Sequence, residues 1–125
     1  MRVYQIQLSS PELTCDINQR FDGRAMRVKT KLRNIELEIL DTCFSRLAQS
    51  VGTLVEYHAC ISVVQQFQTL PETVSVINFK KHEIEGLLKG FSLTADARPV
   101  EWARAIAFIS QVNAPKEIEL PDVAN

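Results

Sequence analysis

Charge is what a long central stretch of this chain lacks. Between positions 47 and 71 the one formally charged residue is Glu56, although 23% of the chain is Asp, Glu, Lys or Arg. A soluble chain leaves such a run uncharged when most of its faces meet protein. It is not a membrane span, because Gln49, Ser50, His58, Gln65, Gln66 and Gln68 interrupt it before any window of about 18 apolar residues is reached. Glycine is scarce as well. With four in the chain there is no GxGxxG, no P-loop and no Gly-rich elbow around a nucleophile. The three cysteines, Cys15, Cys43 and Cys60, are odd in number and show no CxxC spacing. They read as reduced thiols rather than as a disulfide framework or a zinc site. The first ten residues lack the basic, apolar and small-residue sections of a signal peptide, so a reducing cytoplasm is the expected compartment. A net charge of −1 argues against a dedicated polyanion binder but not against a local basic patch.

What is present fits one domain with a tail. Apolar residues make up 46% of 125, enough for a core and too many for intrinsic disorder. Residues 3–8 alternate apolar and polar, as a half-buried strand does. Residues 12–23 are ambiguous apart from Gly23, a turn residue. From 24 to 32 the alternation returns, with Met26, Val28, Thr30 and Leu32 on one side and Arg27, Lys29, Lys31 and Arg33 on the other. A strand that pairs with 3–8 is expected here; the rival reading is an early start to the following helix.

Asn34 is the expected N-cap of that helix, followed by Glu36, Glu38 and Asp41 near its positive end. Ile35, Ile39, Cys43, Leu47 and Val51 then step by four along one face. A single helix over 34–70 would be about 55 Å long at ~1.5 Å per residue. A domain of this size has a radius of gyration of roughly 14 Å. Either the chain folds back near Gly52 as an antiparallel hairpin, or a second subunit covers a rod. Shorter helices are expected at 79–89, closed by Gly90 as C′ residue, and at 99–112, with Trp102, Ile106, Ile109 and Val112 inward. The expected fold is therefore mainly α with a small amino-terminal β element, a single domain over 1–115 and an acidic tail over 116–125.

The leading functional reading is a non-catalytic interaction or assembly module. It would be homo-oligomeric through 35–68, with Ile39, Phe44, Leu54, Tyr57, Ile61, Val64 and Phe67 at the interface. The alternative is a small binder of nucleic acid or of a phosphorylated ligand using Arg24, Arg27, Lys29, Lys31 and Arg33, whose like charges make a local positive field. The bland account of those residues is a solvated strand face that discourages edge pairing, and it is preferred. A third reading is an accessory protein that binds and inhibits another through Arg98, Trp102, Arg104 and the tail, since Trp and Arg are favoured at binding hot spots. Trp102 is more often simply core. No catalytic residue, metal or cofactor is expected. His58 and Cys60 would point about 200° apart on a helix, and a Cys–His pair built from Cys43 or Cys60 with His58 or His82 lacks the flanking sequence of an activated nucleophile.

Overall fold

A computed structural model describes residues 1–95 and 102–121. The first strand, β1 (Arg2–Gln7), is the centre of a three-stranded antiparallel sheet. Val76–Phe79 (β4) pairs along one of its edges, with Ile6 opposite Ile77 and Tyr4 opposite Phe79. Lys116–Glu119 (β5) pairs along the other, with Val3 opposite Ile118. Val3 and Ile6 have opposite parity, and both are buried. The strand is therefore covered on both faces rather than half-buried as its alternation predicts.

The next two strands, β2 (Thr14–Phe21) and β3 (Arg24–Lys31), form a separate antiparallel ribbon. Asp22 and Gly23, with φ of 48° and 76°, turn the chain between them. A two-residue turn with both φ positive matches the twist of the flanking strands. These pairings correct two expectations. β3 pairs with β2 and not with residues 3–8, and the fold is α+β with two antiparallel sheets rather than mainly α. β3 takes the adjacent segment across the Asp22-Gly23 turn, whose weak alternation does not mark it as a strand, while β1 takes β4 and β5 from far along the chain, which local alternation does not encode. Of the expected tail, Lys116–Glu119 is sheet, tied down where the amino group of Met1 donates to Leu120 O at 2.9 Å.

From β3 the chain enters α1 (Leu32–Ser50) without a loop. Lys31 is the N-cap, so the expected cap Asn34 lies inside the first turn. Ile35, Ile39, Cys43 and Leu47 are buried as their four-residue spacing predicts, widened by Leu40, Phe44 and Ala48. Two charged residues are buried with them. Arg33 donates to the carbonyls of Pro71 at 3.0 Å and Glu72 at 3.3 Å. Glu36 accepts from Ser9 N at 2.7 Å and from the Ser9 hydroxyl. A buried charge is tolerable when donors and acceptors meet it in this way.

The charge-poor run is the return arm of a hairpin. After Ser50 the helix stops, Thr53 caps α2 (Leu54–Gln68) by accepting from Glu56 N at 3.2 Å, and the chain returns along α1. Phe44 of α1, Phe67 of α2 and Phe79 of β4 meet with ring centroids 5.9–6.2 Å apart, within the range where aromatic pairs attract beyond their area.

The third helix, α3 (Lys81–Thr94), starts where Glu83 accepts from Lys80 N at 2.9 Å. It does not end at Gly90. That residue is interior and buried, and a Cβ there would lie 2.1 Å from Cys43 O. Gly90 thus sets how closely α3 approaches α1. Thr94 continues the helix and donates to Gly90 O at 2.8 Å.

In the last helical segment a 3-10 turn, Ala103–Ala105, leads into α4 (Ile106–Asn113). Ala105, Phe108 and Val112 face inward, while Ile106, expected inward, is 70% exposed. Each 3-10 residue advances the chain by about 120° where an α residue advances about 100°, so the turn rotates the apolar stripe away from its expected phase. Gln111 of α4 then extends the sheet with its side chain, donating to Gln7 O at 3.2 Å and accepting from Gln7 N at 2.7 Å.

Candidate functional site

Two surfaces are left after the core is built, and the first is the outer side of α2. Cys60, Val64 and Phe67 turn inward on α1. The opposite side carries Leu54, Val55, His58, Ala59, Ser62, Gln65 and Gln66, all exposed, with no residue of fixed charge. Leu54 is 71%, Val55 80% and Tyr57 41% exposed. The structure therefore divides the residues expected at an interface. Ile39, Phe44, Val64 and Phe67 are consumed in the intramolecular core, Leu54 and Tyr57 stand at the surface, and Ile61 is half-buried. Val55, the most exposed large apolar residue among those described, escaped sequence reasoning because it lies off both apolar stripes. Its position within the Thr53-x-x-Glu56 cap, in the first turn of α2, was the available signal.

The second surface is the β2–β3 ribbon. Its register sets Asp16 opposite Lys29 and Asn18 opposite Arg27, and strand parity puts these four on one side. A cavity of about 300 Å³ opens there, lined by Cys15, Asp16, Asn18, Arg27 and Arg104. Arg27 and Arg104 thus come together from two regions that sequence reasoning treated separately. Lys29 stays on that side of the ribbon, and the rest of the basic group disperses. Arg24 sits beside the turn, on the opposite side of the ribbon from Arg27, and Lys31 Nζ lies 3.9 Å from Glu72 Oε1. Arg33 is buried on backbone carbonyls, so it adds no positive field to the surface. Of the third group, Arg98 lies outside the described residues. Trp102 is core, its ring stacked on Phe91 at 6.0 Å and 16°, and its indole N–H meets no acceptor among the described residues.

A groove between α2 and α3, about 300 Å³, is lined in part by Phe44, Cys60, Val63, His82, Glu83 and Gly86. It brings Cys60 and His82 to one place, yet burial and the nearby Glu56 push the Cys60 thiol up. A nucleophilic cysteine needs the reverse shift, toward thiolate. Burial likewise pushes Cys43 up to about 11. Among the described residues no three His, Cys, Asp or Glu side chains gather as metal ligands, and no helix is long and apolar enough to cross a membrane. Comparison of the chain with family models, with curated proteins and with solved structures finds no match.

Proposed function

We propose that this chain is a non-catalytic assembly module that self-associates through the outer side of α2. The observation that carries this reading is a solvent-facing helix side with Leu54 and Val55 bare and no fixed charge across its length. A two-fold interface sets a surface patch against its own copy, so any charge near the axis meets a like charge. A neutral patch avoids that repulsion, and its amides and hydroxyls, Gln65, Gln66 and Ser62, hydrogen-bond equally well to their counterparts. Burial of Leu54 and Val55 supplies the driving force, about 25 cal/mol for each Å² of apolar area covered. The raised thiols support a role without nucleophilic chemistry.

Light scattering on the purified protein tests this directly. The wild type is expected to weigh twice its 14.1 kDa chain mass, and Leu54→Asp to weigh one chain with unchanged circular dichroism. Leu54 is outside the core, so the substitution is expected to change folding stability by less than about 0.5 kcal/mol. A wild type that stays monomeric at every concentration defeats the proposal.

A further inference from the structure

We propose that the cavity between the β2–β3 ribbon and the 3-10 turn binds a small phosphomonoester, with Arg27 and Arg104 as its phosphate ligands. The site is assembled from three segments, β2, β3 and Ala103–Ala105, and both arginines line one space. Neither has an ion-pair or hydrogen-bond partner among the described residues, in a protein where Arg2 and Arg33 both have them. Two guanidinium groups facing one cavity repel each other until an anion lies between them, and the planar fork of each matches the oxygens of a phosphate. Lys29 stands beside them in register, opposite Asp16. Three cations against one acid suit a group carrying between one and two negative charges at neutral pH, as a phosphate monoester does.

The remaining lining residues say what else the ligand carries. A volume of about 300 Å³ is at the lower end of small-molecule sites and exceeds what a bare phosphate fills. Asn18, directly across the ribbon from Arg27, and Asp16, one pair along, supply acceptors beside the arginines, which fits hydroxyl or amine groups on the part of the ligand next to the phosphate. The ligand class is a phosphorylated small polyol or amine. This site is independent of self-association, because none of its residues lies on α2.

Calorimetric titration with ribose 5-phosphate, against ribose as the uncharged control, tests the assignment. Saturable binding of the ester and none of ribose is expected. Arg27→Gln and Arg104→Gln are each expected to weaken it by at least about tenfold, while Lys116→Gln, far along the chain on β5, leaves it unchanged. Both arginines are exposed, so the variants fold. The assignment is overturned if no monoester saturates below about 10 mM, or if both arginine variants bind as the wild type does. It is equally overturned if a single-stranded oligonucleotide binds where free monoesters do not, since the ribbon is then an open track for nucleic acid rather than a small-molecule site.

Discussion

The two arms of the helical hairpin, α1 and α2, reverse the usual relation between charge and burial. α1 carries Arg33, Glu36, Glu38, Asp41 and Arg46, yet it is the central element of the fold, packed against α2 on one side and α3 on another. α2 carries Glu56 alone, yet only one of its sides meets protein. Charge content therefore does not locate a helix within a domain. What decides burial is how many neighbours the topology sets around an element, and a central helix can hold charges where backbone groups are arranged to meet them, as around Arg33 and Glu36.

The widest gap between the arms is expected from truncating apolar side chains. Phe44→Ala removes one ring of the three-phenyl cluster and is expected to cost about 4 kcal/mol. Val55→Ala on α2, placed in the monomeric Leu54→Asp background, is expected to change stability by less than about 0.5 kcal/mol. Urea unfolding of the two variants in that background measures both, and comparable losses would show that the outer side of α2 is covered by its own chain.

A glycine pair gives the next largest effect. Gly90→Ala drives a methyl into the Cys43 carbonyl and is expected to cost about 3 kcal/mol by forcing α3 away from α1. Gly52→Ala, in the break between the arms, meets nothing within 4 Å and is expected to be neutral or to stabilise by about 0.5 kcal/mol. Thermal melts of the two variants decide it.

Glu36→Ala leaves Ser9 N and the Ser9 hydroxyl without their acceptor and is expected to cost about 2 kcal/mol. The equivalent change at Glu38, only partly buried on the same helix, is expected to cost less. A ranking with Glu38 ahead would mean that the buried carboxylate is a liability rather than an anchor.

The smallest effect concerns pH. Burial raises the Cys43 thiol from its ordinary 9.0 to about 11. The folded state keeps that proton after the unfolded chain has lost it, so stability from this group is complete below about 9.0 and declines as pH rises toward about 11. Denaturation midpoints for the wild type should fall over that window, and Cys43→Ala should flatten the fall. A midpoint independent of Cys43 would remove the link. At pH 8 a thiol reagent is expected to label the half-buried Cys15 before Cys43.

Local features were legible wherever neighbours in sequence are neighbours in space. The four-residue spacing of Ile35, Ile39, Cys43 and Leu47 predicts the buried side of α1. Gly52 was readable as the weak point, but the choice between hairpin and rod was not; the structure decides it with the Thr53 cap on Glu56 N. β2 was missed although Cys15 and Ile17 alternate ahead of an Asp-Gly turn, because Asp16, Asn18 and Gln19 dilute the apolar signal. The candidate site was half legible. Arg27 and Arg104 are each conspicuous, but no local pattern says that they share a cavity.

By itself, then, the sequence determined the buried side of α1 and offered Gly52 as the place where a hairpin would break, since each depends on periodicity within a few turns. Tertiary structure alone decided that β1 takes β4 and β5 as partners, that Gly90 lies between helices rather than after one, and that α2 rather than α1 keeps a bare side. Those outcomes depend on contacts between distant segments, and such contacts leave no mark on the order of residues within either one.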